Sequence, residues 1–224
     1  MLYLVPTPIG NLEDITLRAI RILKEVDLIL AEDTRVTRKL CEKFEINTPL
    51  ESFHTHNEHQ KLTSIADKLE NGIEIALVTD AGTPGISDPG YLLAREAIRR
   101  EVELTCLPGP TAVIPAMVMS GIPCDKFFFE GFLPHKKGKQ SRIDFLLNLD
   151  TAFVLYESPH RIIKTLHKIL ERAGEDRPCC VIREISKIHE EQIRGSITEV
   201  IADLEKRNSI KGEIVIIIGA SPSK

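Results

Sequence analysis

Several absences narrow the chemistry of this chain before any motif is read. Its five cysteines, Cys41, Cys106, Cys124, Cys179 and Cys180, are odd in number and have no CxxC spacing. Neither a disulfide framework nor a cysteine zinc site is written into it, and reduced thiols in a cytoplasmic protein are expected. No apolar run approaches membrane-spanning length, so no membrane partner is expected. The opening Met1-Leu2-Tyr3-Leu4-Val5-Pro6 lacks a basic region and meets proline too early for a signal peptide. There is no long basic tail and the formal net charge is −4, which argues against broad, sequence-blind nucleic-acid binding but leaves room for a local basic patch.

Familiar site signatures are missing as well. Thr7-Pro8-Ile9-Gly10-Asn11 follows a first strand and Glu32-Asp33 lies further on, yet one glycine stands where a GxGxxG fingerprint needs three. GxxxxGK followed by Ser or Thr does not occur, which excludes a P-loop. Ser87 and Ser158 lie outside any GxSxG elbow. His54, His56 and His59, with Glu58 among them, are the one histidine cluster, and without an HExxH or cysteine pattern no metal is expected there.

What is present is an alternation of strands and helices. The 224 residues, 42% hydrophobic, can bury one large core or two small ones. The organising stretch is Val78-Thr79-Asp80-Ala81-Gly82-Thr83-Pro84-Gly85-Ile86-Ser87-Asp88-Pro89-Gly90. It reads as a strand over 75–79, a loop too rich in glycine and proline for simple turning, and a helix starting near Pro89. Further strands are expected over 2–5, 27–30, 50–53 and 102–106. The helices between them include one with Asp14 or Thr16 as N-cap and one burying Val36, Leu40 and Phe44. This pattern predicts a mainly parallel sheet with helices on both faces. Four strand exits, 7–11, 32–35, 80–87 and 108–112, then open on one edge, where such sheets bind ligands. The segment 112–119 is apolar nearly all round and is expected to be a buried helix. The second half starts afresh, with strands over 126–130, 151–156, 179–183, 190–194 and 213–218 and a Ser196-capped helix.

Taken in order, Thr7-Pro8-Ile9-Gly10-Asn11-Leu12, Ala31-Glu32-Asp33-Thr34-Arg35, Asp80-Ala81-Gly82-Thr83-Pro84, Ser87-Asp88-Pro89-Gly90, Leu107-Pro108-Gly109-Pro110, Phe129-Glu130-Gly131-Phe132, Tyr156-Glu157-Ser158-Pro159-His160-Arg161 and Arg183-Glu184 closely resemble the ribosomal RNA small subunit methyltransferase I family. That family is similar in fold to the tetrapyrrole methylases and diphthine synthase. The resemblance implies two α/β domains, here 1–111 and 112–224, with S-adenosylmethionine in the cleft between them and a homodimeric assembly. It implies methyl transfer to the ribose 2′-hydroxyl of a cytidine in the decoding region of small-subunit ribosomal RNA. It places cofactor contacts on Asp80, Ala81, Gly82, Thr83, Pro84 and Ile86, on Thr111 and Ala112, and on Tyr156, Arg183 and Gly212. Many relatives continue past the final strand, which here is followed only by a short run to Lys224.

No general base announces itself. Glu157 is the first choice to take the hydroxyl proton, with Glu184 and Lys187 also at strand exits, against the alternative that these charges pair among themselves. Residues 32–35 are read either as RNA or pocket-edge contacts, or as an acidic helix cap with an arginine partner. His135-Lys136-Lys137-Gly138-Lys139, with Arg142 beyond, is expected to contact RNA phosphate. A tetrapyrrole C-methyltransferase and a non-catalytic nucleotide-binding module remain the alternatives.

Overall fold

The computed structural model describes residues 1–87 and 89–221. Asp88 of the organising stretch and residues 222–224 lie outside the described residues. The chain divides into two compact units, Met1–Thr111 and Ala112–Lys224.

In the first unit the strands β1 (Leu2–Leu4), β2 (Leu28–Ala31), β3 (Leu50–Ser52), β4 (Ile75–Val78) and β5 (Leu104–Cys106) alternate with the helices α1 (Leu17–Glu25), α2 (Thr34–Lys43), α3 (Glu58–Glu70) and α4 (Tyr91–Arg99). The strands form one parallel sheet in the order β3-β2-β4-β1-β5. Side chains alternate across a strand, so each strand feeds two cores. Ile29, Ala31, Ala76 and Val78 meet Ala19, Ile22 and Leu23 of α1 and Leu40 and Cys41 of α2. Leu30, Ile75 and Leu77 meet Ile65 and Leu69 of α3 and Leu93 and Ala97 of α4. Helices therefore cover both faces, as the apolar strands required.

Local chemistry sets the helix boundaries. Thr16 caps α1 by accepting the Ala19 amide, and a short 3-10 turn at Leu12–Asp14 comes before it. α4 begins two residues later than the proline suggested. Gly90, at φ 134°, is its N-cap, and the Pro89 carbonyl instead accepts the Gly85 amide at 3.2 Å. The expected apolar face of α2 rotates, and α4 also turns an apolar residue to solvent. α2 buries Thr37, Leu40 and Cys41 and leaves Val36 exposed. α4 leaves Ile98 exposed.

The second unit runs α5 (Val113–Ser120), β6 (Phe127–Phe132), α6 (Lys139–Leu147), β7 (Ala152–Glu157), α7 (Ile162–Ala173), β8 (Pro178–Arg183), β9 (Glu191–Ser196), α8 (Ile197–Glu205) and β10 (Ile214–Ile218). Its sheet, ordered β6-β7-β10-β8-β9, is mixed. β6 and β7 are parallel, while β10 runs antiparallel to both β7 and β8, and β8 to β9. The parallel arrangement expected from the first half is not repeated here, because β8 and β9 follow each other without a helix between them. Helices α6, α7 and α8 share one core with Phe153, Leu155, Val181 and Ile216, and α8 starts on a Ser196–Glu199 capping box. α5 packs on β8, β9 and β10. It is not buried all round: Ala116 and Met117 are buried, but Ile114 and Val118 are 52% and 68% exposed. No helix of the described residues is long and apolar enough to cross a membrane.

Candidate functional site

β1 and β4 are neighbours, but the chain leaves β1 for α1 on one face and β4 for α4 on the other. Their exits diverge, and a crevice of this kind is where open α/β sheets take ligands. Thr7 and Gly82 join across it. The Thr7 amide donates to the Gly82 carbonyl at 3.0 Å, the Gly82 amide returns to the Thr7 carbonyl at 2.9 Å, and the Thr7 hydroxyl donates to the Thr79 carbonyl at 2.9 Å. Gly82 sits at φ 78° with its nearest would-be Cβ neighbour, Ile9 Cγ2, 3.7 Å away. Glycine is required there by the backbone, and space is not limiting. Of the expected cofactor contacts on this loop, Asp80 and Ile86 are exposed, Ala81 and Thr83 half-buried, and Gly82 and Pro84 buried. Thr111 and Ala112 are half-buried.

The β2 exit reaches the same loop. Asp33 caps α2, accepting the Arg35 amide at 2.8 Å and its guanidinium at 2.6 to 3.1 Å. Of the two readings of residues 32–35, the acidic cap with its arginine partner is what Asp33 and Arg35 form. Their hydrogen bonds hold the Asp33 carboxyl down at about 2. The Asp33 amide donates to Asp80 Oδ1 at 3.0 Å, and the Asp80 amide donates to Glu32 Oε2 at 3.3 Å. Glu32 and Asp80 are thereby linked, and the pKa of each carboxyl is raised. Burial is the main cause for each, reinforced by the Asp80 charge on Glu32 and the Asp33 charge on Asp80. Sequence reasoning missed this carboxylate pair because its members stand on different strands.

His54 and His56 stand edge-on with ring centroids 5.9 Å apart. Among the described residues no group of three His, Cys, Asp or Glu is arranged to hold a metal.

Five non-glycine residues have positive φ among those described. Glu45 and Glu101 end helices, where a left-handed residue is ordinary. The other three, Ser87 at 64°, Glu184 at 56° and Ser186 at 66°, lie in the loops after β4 and β8. Strain is thus placed in the organising β4 loop and in the loop after β8 that carries Glu184 and Lys187.

In the second unit the register gathers Tyr156, Glu157, Arg183 and Gly212 at one sheet edge. Glu157 and Arg183 both pair with Ile214, Tyr156 pairs with Val215, and Gly212 comes just before β10. Tyr156 packs its ring against Phe129 and Phe132 at 5.1 and 5.5 Å, and Phe132 is 55% exposed. Arg183 donates to Glu191 at 3.1 Å and to the Lys211 carbonyl at 3.0 Å. A Cβ on Gly212 would fall 2.4 Å from the Glu184 carboxyl carbon.

Both expected bases are engaged otherwise. The Glu157 carboxylate, 2% exposed, accepts the Ser158 amide at 2.7 Å, Arg161 Nε at 2.9 Å and the Thr165 hydroxyl at 2.7 Å. It is an internal anchor closed to a substrate hydroxyl. Lys187 bridges Glu184 and Glu213, each at 3.0 Å. Burial works to lower its pKa, but those hydrogen bonds outweigh it and raise the pKa, so Lys187 is held as a cation and is no proton acceptor.

The basic run is also divided. Lys139 is buried, donating to Thr165 Oγ1 at 2.9 Å with Glu157 Oε2 at 3.8 Å. Arg142 bonds Glu130 at 2.6 and 2.5 Å and lies over the Phe145 ring at 4.5 Å. Of the lysines and arginine expected on phosphate, only Lys136 and Lys137 stand exposed.

Comparison with known proteins places these features. The family described as "Tetrapyrrole (Corrin/Porphyrin) Methylases" matches residues 1–201. The ribosomal RNA small subunit methyltransferase I of Thermotoga maritima is 46% identical over 217 residues, which is 97% of each chain. The protein of the same name from Bacillus subtilis is 46% identical over 222 residues, covering 99% of this chain and 75% of that one. Among solved structures, a diphthine synthase aligns with a TM-score of 0.74 at 14% identity, over 98% of this chain and 89% of that one. A uroporphyrin-III C-methyl transferase from Thermus thermophilus, complexed with S-adenyl homocysteine, aligns at 0.66 and 20% identity, over 97% and 96%. At such identities the structures speak for the fold alone, while the sequence relatives match across both units. This chain belongs to the tetrapyrrole methylase family and, within it, to the ribosomal RNA small subunit methyltransferase I family.

Proposed function

We propose that this chain transfers a methyl group from S-adenosylmethionine to small-subunit ribosomal RNA, at the ribose 2′-hydroxyl of a cytidine in the decoding region. The observation that carries this reading is the 46% identity to the Thermotoga maritima enzyme over 97% of both chains. It spans the strand-exit loops of the first unit and the sheet edge of the second. The residues present fit the cofactor. The β4 loop presents main chain shaped by Gly82 and tied to Thr7, as its amino-acid end and ribose require, and Tyr156 with Phe129 and Phe132 makes an aromatic surface suited to stacking a flat ring. We assign the cofactor contacts to Asp80, Ala81, Gly82, Thr83, Pro84, Ile86, Thr111, Ala112, Tyr156, Arg183 and Gly212. When bound, the cofactor supplies an electrophilic methyl on a sulfonium.

The chain's own task is to orient the hydroxyl and to take its proton. With Glu157 and Lys187 committed to internal pairs, the acceptor is assigned to Glu32, which stands half-buried at the β2 exit, accepts the Asp80 amide at 3.3 Å and has its pKa raised by burial, the direction a general base needs. A cytoplasmic homodimer completes the reading, and sedimentation of the purified chain tests the assembly. The function is tested with methyl-labelled cofactor and undermethylated small ribosomal subunits. Label should enter the RNA and resist alkali as a dinucleotide, because a methylated 2′-oxygen cannot attack the neighbouring phosphodiester. Labelling of uroporphyrinogen without labelling of RNA would instead assign a tetrapyrrole substrate. Label recovered in mononucleotides after alkali would place the methyl on a base.

A further inference from the structure

A cavity of about 600 Å³ opens at the start of α6, with Lys136, Lys139, Lys164, Lys168, His135 and Gln140 among its lining residues. Among the described residues no carboxylate lines it. Lys139 forms its floor and is committed to Thr165 and Glu157. Lys136, Lys164 and Lys168 have no ion-pair partner among the described residues, and they share one cavity. Lys164 and Lys168 stand one turn apart on α7, a spacing at which like charges repel. α6 adds to the field: its N-cap is Gly138, with no side-chain cap, and the Gln140 and Ser141 amides have no acceptor among the described residues. Cations gathered at the positive end of a helix oppose its dipole. Lys139 registers the crowding, since its pKa is lowered, by burial first and by the Lys168, Arg161 and Lys164 charges besides, against the opposing pull of Glu157. Of these lysines, Glu157 answers the charge of Lys139 alone; among the described residues no carboxylate pairs with the other three, and an anion would offset their charge.

We propose that this cavity is a phosphate-binding site that holds a backbone phosphodiester of the RNA substrate, with Lys136, Lys164 and Lys168 as its ligands. The proposal rests on the ribosomal RNA reading above and differs from the run of basic residues that the sequence suggested. Lys139 is the floor, Lys137 is not among the lining residues, and the two decisive lysines come from α7, more than a turn of chain away from the run. The volume exceeds that of a single phosphate and leaves room for the sugar attached to it.

The test compares the parent chain, the double variant Lys164→Ala/Lys168→Ala and the control Lys137→Ala, using anisotropy of a fluorescein-labelled single-stranded RNA across a potassium chloride series. The double variant should weaken binding at low salt and reduce the slope of log K against log salt by about 1.4, two contacts at about 0.7 each for a single strand. Lys137→Ala should keep the parent slope. Affinity for S-adenosylmethionine by calorimetry should be the same in all three, which also reports that the variants are folded. A parent-like slope in the double variant overturns the proposal, and so does an equal loss in Lys137→Ala, which would make the effect one of general surface charge. Binding of inorganic phosphate that the double variant abolishes, with the RNA slope unchanged, assigns the cavity to a free anion and also overturns it. Methyl transfer to small subunits by the parent separates this proposal from the function it rests on. Transfer with an unchanged slope sinks the site alone, and a reduced slope without transfer sinks the function and leaves the site.

Discussion

At the scale of single residues, the two glycines that bound the β4 loop should respond differently to the same substitution. Gly82 has room for a Cβ, and Gly82→Ala meets only the cost of a left-handed backbone, about 1–2 kcal/mol. Gly90 at φ 134° would also set a Cβ 2.8 Å from Leu77 Cδ2 in the core, so Gly90→Ala should be clearly the more destabilising in urea denaturation. Gly82→Val should abolish cofactor binding in calorimetry with the fold retained; unchanged affinity there would place the pocket elsewhere. The acidic residues make a second contrast. As a base Glu32 must be ionised, so turnover should rise with pH through its raised pKa, and Glu32→Gln should lose that limb. A raised carboxyl pKa means that the folded state holds the proton more tightly. Its contribution to stability is present below the ordinary value and lost as pH rises through the raised one, so Glu32→Gln should not destabilise near neutrality. Glu157→Ala leaves Arg161 and Lys139 facing each other without their carboxylate and should cost about 3–5 kcal/mol. Retained stability in Glu157→Ala, with activity lost, would return Glu157 to the role first expected of it.

At the scale of elements, what the sequence made legible was what depends on neighbours in the chain. Periodicity located the helices, and Ser196, and Thr16 with Asp14 as its alternative, were readable as caps because capping spans three residues; the structure chooses Thr16. The exits of β1, β4 and β5 stood out in the sequence because glycine and proline beyond the needs of a turn signal a shaped backbone. Pairings between elements were not legible. Nothing local ties Asp80 to Glu32, or buries Lys139 beneath α7 while its neighbours Lys136 and Lys137 stay exposed. The expectation for α5 failed for a related reason. An apolar helix tells how much surface it can bury but not how many sides the fold will cover, and β8, β9 and β10 cover only one.

At the scale of the whole molecule, two sheets of five strands are closed in different ways, and the difference bears on how each unit stands. In the first, every strand is parallel and the first strand to be made, β1, lies between β4 and β5. In the second, the last strand, β10, lies between β7 and β8 and is antiparallel to both. The second sheet therefore lacks its centre until Ile214–Ile218 is in place, and all five of those residues are buried. Ile216 is fully buried, pairs across to Leu155 on one side and Val181 on the other, and belongs to the core shared by α6, α7 and α8. Ile216→Ala should cost about 2–5 kcal/mol, the usual range for emptying such a position. The loss should fall on the second unit. Hydrogen exchange should show faster exchange of the β7 and β8 amides while those of β1 and β4 keep the parent rate, because strands joined through β10 open with it and the first sheet has its own centre. Equal acceleration in both sheets would show instead that the two units unfold as one, and that the stability of the β4 loop depends on a strand far from it in sequence.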